Sequence, residues 1–252
     1  MKIVVIGGTG LVGSALVTLL TERGHQAVAA SPASGVNTLT GEGLSEVLQG
    51  AQVVVDVSNS PSFEDQAVLD FFRTATTNLL EAEVAAGVGH HVAPSVVGSE
   101  RVTTSGYMRA KVVQEKLIKD SAVPYSILHA TQFFEFTTAI AASATVGDQV
   151  HIAPVAFQPI AAADVSAALA DVATGSPLNG TREIGGPQRV RMDEFFRRVL
   201  ADRQDPREVV TDPHARYYGA ELAEGDLVPG PDALVGPTSF EQWRSRQAVV
   251  AV

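Results

Sequence analysis

Hydrophobic positions along the chain first run together and then space out. KIVVIG is an unbroken apolar run that reads as a strand, and in LVGSALVTLLTERG the period changes, with Val12, Leu16, Leu19 and Leu20 on one helical face and a stop at Gly24. HQAVAAS reads as a second strand and GLSEVLQG as a short helix. AQVVVDVSNS then carries a β-branched run suited to burial on both faces of a sheet. A long helix over residues 62–86, the strand HHVAPSVVG, a helix over 105–121 and the strand YSILHATQF follow. Strands separated by helices imply right-handed crossovers and a parallel sheet covered on both sides, an α/β fold.

From about Thr137 the pattern loosens. FQPIAAADVSAALADVATG still reads as a strand, an Asp164 N-cap and a helix. Beyond Gly180 the chain is rich in Pro, Gly and Arg, with helical pieces only at MDEFFRRVLADR and FEQWRSRQ. The expected organisation is a dinucleotide-binding domain over residues 1–180 and a smaller lobe over 181–252. That lobe is expected to cover the carboxyl edge of the sheet and not to fold alone. No repeat or low-complexity tract is visible.

The first strand runs directly into GGTGLVG, whose Gly7, Gly10 and Gly13 form a G-x-x-G-x-x-G pattern. Glycine spacing alone is a weak signal, but a glycine loop between a buried strand and an amphipathic helix is the place where a Rossmann-type sheet seats a pyrophosphate. Gly7 permits the turn, Gly10 removes a side chain that would hold the phosphates away, and Gly13 lets helix and strand approach. The candidate cofactor contacts are Gly7, Thr9, Gly10, Leu11, Val12 and Gly13, with the N–H groups near Gly10, Leu11 and Val12 expected to face the phosphates. No Lys-Ser or Lys-Thr follows, so the loop is not of the nucleoside triphosphate type. After the second strand comes SPASGVNT, with no carboxylate to repel a 2′-phosphate and with Ser31, Ser34 and Thr38 as hydroxyl donors. NADP(H) is therefore expected over NAD(H).

A second constellation lies in SGYMRAKVVQEKL, where Tyr107 and Lys111 fall four apart on one helical face. Reduction of a carbonyl by hydride needs a proton donor at the developing alkoxide, and a phenol becomes a competent donor when an ammonium beside it lowers its pKa. The plain alternative is a surface helix in which Lys111 pairs with Glu115. At the end of the strand YSILHATQF, Phe133, Phe134 and Phe136 are candidates to wall a flat hydrophobic ligand, and the His129 imidazole is a candidate to donate to a substrate oxygen or relay a proton. The competing role for these aromatics is to cement the two lobes. His90 and His91 are adjacent on a strand and point to opposite faces, which is wrong for a shared metal, and no metal site is expected.

Composition narrows the classes. The 252 residues are 45% hydrophobic and 18% charged, ordinary for a globular protein, and the absence of cysteine excludes disulfides and thiolate metal sites. The opening apolar run breaks at Gly7 and Gly8, too early for a signal segment or membrane span, so a cytoplasmic protein is expected. A formal charge of −10 repels phosphate backbones, so no nucleic-acid partner is expected, and Arg189, Arg191, Arg197 and Arg198 read as a solvated helix face. A homodimer is compatible with the sequence.

With both motifs in hand, the chain resembles the short-chain dehydrogenase/reductase superfamily, specifically its atypical NmrA-like NAD(P)-binding branch. The resemblance rests on IGGTGLVGSALV, TTNLLEAEVAAGV, SVVGSE, YMRAKVVQEKLIKDSAVPYSILHATQFFEF and PIAAADVSAAL. It implies strand order 3-2-1-4-5-6-7, a small substrate lobe, Ser58 and Asn59 facing the ribose, and Tyr107 with Lys111 as the catalytic pair. Carbonyl-reducing relatives place an assisting Ser at the end of the strand that HHVAPSVVG forms here. Here Ser95 falls one residue short of that place, with Val96 occupying it. The branch includes quinone and isoflavone-type reductases, dinucleotide-sensing regulators and, among related proteins, oxygenases of aromatic polyketides. The expected function is an NADP(H)-dependent oxidoreductase acting on an aromatic, quinone-like or polyketide-type small molecule. A non-catalytic NADP-sensing regulator and an aromatic polyketide hydroxylase are the alternatives.

Overall fold

The computed structural model describes residues 1–250. Along the chain run β1 (Lys2–Ile6), α1 (Leu11–Glu22), β2 (Gln26–Ala30), α2 (Leu44–Leu48), β3 (Val53–Asp56), α3 (Asp65–Ala86), β4 (His90–Val96), α4 (Gly106–Asp120) and β5 (Tyr125–Ala130). Then come α5 (Thr137–Ser143), β6 (Thr145–Val146), β7 (Gln149–Ile152), β8 (Ala156–Phe157), α6 (Ala162–Thr174) and β9 (Gly180–Gly185). The last elements are β10 (Val190–Arg191), α7 (Met192–Asp202), β11 (Glu208–Thr211), β12 (Arg216–Tyr217), β13 (Ala220–Glu221), β14 (Leu234–Val235) and α8 (Phe240–Val250). Seven strands form the central parallel sheet in the order β2-β1-β3-β4-β5-β9-β14, which in chain order is 2-1-3-4-5-6-7 and not the expected 3-2-1-4-5-6-7, because the segment between β2 and β3 forms turns and α2 and adds no strand outside β2; every helical crossover expected in the first half is present.

The elements follow from their residues. β1 and β3 are buried nearly throughout, as strands covered on both faces must be. In α3 the buried positions Val68, Phe72, Ala75, Thr76, Leu79 and Leu80 keep the helical period, and Gly87 ends the helix in a left-handed conformation at φ 70°. His90 and His91 point to opposite faces. His90 Nε2 lies 2.8 Å from Ser126 Oγ, whereas His91 Nδ1 lies 2.8 Å from Glu83 on α3, both partners being fully buried. Burial drives Glu83 upward from the usual carboxylate range, and against the opposing effect of its own burial the Glu83 charge and hydrogen bond raise His91.

The chain divides into two compact units, and not by a single cut near residue 180. The first comprises Met1–Ser95, Ala110–His129 and Ala163–Arg182, and the second comprises Val96–Arg109, Ala130–Ala162 and the chain from Glu183 onward. A shared core explains the second unit: Val102 and Met108 from one stretch pack with Phe134, Ile152 and Phe157 from another and with Phe195, Phe196 and Phe240 from the third.

One local expectation is corrected. α6 begins at Ala162, so Asp164 lies inside its first turn and is not the N-cap; Glu135 Oε2 instead accepts the Ala162 N–H at 3.1 Å. The arginines about α7 are exposed, as a solvated face requires, and are also paired: Arg191 and Arg197 both reach the buried Asp193, and Arg198 reaches Glu241 at 2.6 Å.

Candidate functional site

In the first unit, β1 delivers the chain into the glycine loop, and the geometry assigns each glycine a different task. Gly7 takes φ +75°, and a Cβ there would stand 2.9 Å from the Ser58 backbone nitrogen. A Cβ on Gly8 would stand 2.7 Å from both Ala29 Cα and the Val5 carbonyl oxygen, and one on Gly13 would stand 2.3 Å from the Gly7 carbonyl oxygen. These three are required by packing alone. Gly10 is not: it is exposed, has an ordinary extended backbone, and a Cβ would meet only the Gly7 oxygen at 3.3 Å.

Gly10 is also the N-cap of α1, a position where Ser, Thr, Asp or Asn would accept a first-turn N–H, yet it provides no side-chain cap. The missing side chain leaves the helix mouth bare. One expected donor is withdrawn, because the Gly10 N–H is bound to the Gly7 carbonyl at 3.0 Å. The first-turn N–H groups of Leu11, Val12 and Gly13 have no intrahelical acceptor and point along the positive end of the helix dipole. Thr9 and Leu11 are exposed beside them.

The segment after β2 is more self-contained than expected. Ser34 Oγ accepts the Ser31 N–H and donates to the Ser31 carbonyl, both at 2.9 Å, so its single proton is committed within its own turn. Ser31 and Thr38 are buried. At the end of β3 the Ser58 N–H donates to Asp56 Oδ1 at 3.0 Å, which holds Ser58 against Gly7. Asn59 beside it is exposed.

Lys111 is not a surface residue paired with Glu115. It is 4% exposed, donates to the Pro94 carbonyl at 2.9 Å and to Gln114 Oε1, and places its ammonium 4.6 Å from the centre of the Phe72 ring. Gln114 Nε2 in turn donates to Asp56 Oδ2 at 3.3 Å. Burial pushes the Lys111 ammonium down to about 8, with the Asp56 and Glu115 charges opposing the fall.

Ser95 requires a correction. Its hydroxyl donates to Glu115 Oε1 at 2.6 Å, so its one proton is committed inward and is not offered to an acceptor oxygen. His129 Nε2 lies 2.9 Å from the same Glu115 oxygen, and Lys119 donates to Oε2 at 3.0 Å. Burial alone would raise Glu115; the His129 imidazole, the Ser95 hydroxyl and the Lys119 ammonium outweigh it and hold the carboxyl at about 2. Asp56, Gln114 and Glu115 were absent from the candidates drawn from sequence. The Glu115 signal was its i+4 spacing to both Lys111 and Lys119, which equally describes a solvated helix face.

In the second unit, Tyr107 is half-buried and packs on the apolar core, one helical turn before Lys111 on α4. Phe134 is a core residue, 2% exposed, with ring centres 5.3 Å from Phe240, 5.6 Å from Trp243 and 6.4 Å from Phe195. Most of its ring is taken up by this packing, and it also lines a cavity with Pro159, Phe195, Arg198 and Phe240. Phe133 is half-buried and stacks at 5.4 Å on the exposed Phe136. Tyr217 is buried beside Tyr218, with ring centres 4.8 Å apart.

Solved structures share this architecture, and several of them were determined with NAD or NADP. MoeE5, determined with UDP-glucose and NAD, superposes with a TM-score of 0.73 at 19% identity over 98% of this chain and 100% of its own. The likeness is one of fold, a Rossmann-type α/β sheet. The Thermotoga maritima UDP-glucose 4-epimerase, determined with UDP-glucose, has a TM-score of 0.72 at 17% identity, covering 99% of this chain and 100% of that one. The Bacillus anthracis dTDP-4-dehydrorhamnose reductase in complex with NADP has a TM-score of 0.66 at 12% identity, covering 96% and 92%. Among curated proteins, the photosystem II assembly factor Ycf39 of Cyanophora paradoxa is 28% identical over 149 residues. That match spans 54% of this chain and about half, 46%, of the length of Ycf39. No family model matches. Among the described residues, no helix is long and apolar enough to cross a membrane.

Proposed function

We propose that this short-chain dehydrogenase/reductase fold binds NADP(H) and reduces a carbonyl of an aromatic or quinone-like small molecule. The observation that carries the reading is Lys111: a buried ammonium with a lowered pKa, one turn after Tyr107, in a site that spends Asp56 and Gln114 on keeping it in place. The dinucleotide would supply hydride. The chain's residues would seat its diphosphate on the α1 mouth through Gly10, Leu11, Val12 and Gly13, with Thr9 and Gly7 shaping the loop and Ser58 and Asn59 toward a ribose. Lys111 would hold the nicotinamide ribose and ease proton release from Tyr107, the acid, toward the new alkoxide.

NADP(H) is favoured because Ser31, at the end of β2, leaves no carboxylate to repel a 2′-phosphate. The Ser34 contribution falls away, since its proton is used within the turn. An aromatic substrate is favoured by the Phe133–Phe136 stack, which presents a ring to solvent. The nucleotide sugars of the structural neighbours are the competing substrates to be tested beside it. The test is NADPH oxidation with 1,4-naphthoquinone and, separately, NAD reduction with UDP-glucose. The reading expects turnover in the first assay and its loss in Tyr107→Phe. Unchanged turnover in that variant would remove the acid from Tyr107.

One observation favours a second reading, a dinucleotide-binding protein without turnover: the curated relative is named as an assembly factor. It expects tight NADP binding with no NADPH consumed across the substrates. The same assay separates the two.

A further inference from the structure

Deepening the proposed reduction of an aromatic carbonyl, and resting on it, we infer that Gln132, clustered with Tyr107, Tyr217 and Tyr218, selects aromatic substrates that carry a hydroxyl beside the carbonyl. All four residues lie in the second unit. Gln132 is 6% exposed, yet neither its Oε1 nor its Nε2 has a hydrogen-bond partner. A buried amide left in that condition is costly, and native chains keep one chiefly where a ligand or a water completes it. Its backbone is pinned: the Ile160 N–H donates to the Gln132 carbonyl at 2.9 Å, and the Phe134 N–H donates to the Ile160 carbonyl at 2.8 Å. The amide is therefore presented from a fixed position, as a residue that reads a ligand must be.

A second, independent observation lies in the hairpin of β12 and β13. Its two-residue turn is Tyr218-Gly219, and both take positive φ, 46° and 87°, as a type I′ turn requires. Asn-Gly or Asp-Gly would adopt that turn freely, whereas a tyrosine there is strained. The turn does not account for Tyr218, so its ring must. That ring is half-buried on the core of the unit and meets Tyr217 edge-on, with centres 4.8 Å apart and planes at 81°. Tyr107 packs half-buried on the same core. Burial pushes the Tyr217 phenol well up, Tyr218 and Tyr107 add to the rise, and the Gln132 amide opposes it, which sets the amide beside the Tyr217 hydroxyl. A phenol has one proton to give, whereas an amide has two protons and two lone pairs. Even with Tyr217 engaged, Gln132 keeps a donor and an acceptor. A ligand carbonyl that accepts from Nε2, with a neighbouring hydroxyl that donates to Oε1, satisfies both, and its ring finds an aromatic neighbour in Tyr218.

The probes are 5-hydroxy-1,4-naphthoquinone, whose hydroxyl and nearer carbonyl share one edge, and 1,4-naphthoquinone, which lacks the hydroxyl; the chain has no cysteine to add to either. Equilibrium dialysis against the full-length protein gives both dissociation constants without turnover. The hydroxyquinone is expected to bind at least about tenfold tighter. Gln132→Met keeps the length of the side chain and neither polar atom. It should bring the two constants within about twofold by weakening the hydroxyquinone, with Tm unchanged or higher because an unpartnered amide is lost. Tyr218→Asn suits the turn, so its Tm should stay within about 3 °C of wild type while both quinones bind about fivefold or more weakly. Equal constants in the wild type, or a preference that survives Gln132→Met, would overturn the inference, the amide then being completed by a water. A Tyr218→Asn protein that melts far earlier and binds as tightly would make that ring a packing residue and remove it from the cluster. Selective, Gln132-dependent binding with no NADPH consumed would remove the reductase reading and keep the recognition. NADPH oxidation by both quinones with equal dissociation constants would do the reverse.

Discussion

The glycine loop allows its binding role to be separated from its folding role with two single methyl groups. Gly13→Ala would place a Cβ 2.3 Å from the Gly7 carbonyl oxygen and 2.7 Å from Gly8 Cα, both backbone atoms, so the strand-to-helix approach must open by about 1 Å to reach ordinary contact. Overpacking of this kind costs about 1–3 kcal/mol, offset by up to about 1 kcal/mol from the better helix propensity of Ala. The net loss of about 1–2 kcal/mol lowers Tm by about 2–8 °C in a chain of this size. Gly10→Ala meets nothing closer than 3.3 Å; the N-cap loss from Gly to Ala, about 0.5–1 kcal/mol, is offset by the about 0.4–1 kcal/mol that Ala gains over Gly at a backbone it can adopt, so its Tm should move by about 1 °C. The added methyl would nonetheless stand at the mouth of α1. NADP affinity by titration calorimetry should fall at least about tenfold, equivalent to about 1.4 kcal/mol. Thermal melts of both apo variants and titrations of Gly10→Ala make the comparison. A Gly10→Ala protein that binds NADP as tightly as wild type, or melts as early as Gly13→Ala, would show that the loop is only a turn.

Three further outcomes are expected. Glu83→Leu leaves His91 without its buried partner and should cost about 3–5 kcal/mol in urea unfolding, whereas adding His91→Leu should recover part of that loss. Glu115 titrates at about 2 in the folded chain against an ordinary 4.5, so its stabilising contribution is complete above pH 4.5 and disappears as pH falls toward 2; the decline of Tm over that window should be shallower in Glu115→Gln than in wild type. Phe134→Ala should cost about 3–5 kcal/mol of stability with NADP affinity unchanged, because its ring is enclosed by Phe195, Phe240 and Trp243; a variant of normal Tm with altered substrate KM would return Phe134 to the ligand site.

The middle of the central sheet was legible because β1, β3, β4 and β5 are largely buried and the crossover helices carry apolar stripes, whereas the short exposed β14 gave no such pattern. The second unit was not, since its core joins Met108, Phe134, Phe157 and Phe240 from distant stretches, and sequence distance carries no sign of such pairing. In the glycine loop the pattern was visible but its meaning was divided: Gly7, Gly8 and Gly13 satisfy packing, and only Gly10 lacks a structural reason. Ser34 and Ser95 were chosen as hydroxyls in the right places. A hydroxyl's role depends on where its single proton goes, and here both protons are committed to near neighbours. Glu115 and Asp56 were overlooked for the converse reason, since burial turns an ordinary helix-face acid or strand-end acid into the counter-charge of a site.

Asp56 joins the two halves of that site and allows a test of whether they work together. Oδ1 receives the Ser58 N–H, which holds the end of β3 against Gly7, and Oδ2 receives Gln114 Nε2, whose own oxygen receives Lys111. Asp56→Asn offers one acceptor where two donors converge, and it removes the first of the two charges opposing the fall of the Lys111 ammonium. NADP binding that depends on that ammonium should weaken as pH rises through about 8 in the wild type, and the weakening should begin at lower pH in the variant. Adding Gln114→Glu exchanges amide and carboxylate: the Asn amide can donate to the new carboxylate, which also sits against Lys111. The double variant should therefore recover both the affinity and the pH range. If Asp56→Asn binds NADP with an unaltered pH profile, Lys111 owes nothing to Asp56. If the single variant fails and the exchange restores neither property, the hydrogen-bonded chain from β3 to α4 is not what keeps the ammonium charged.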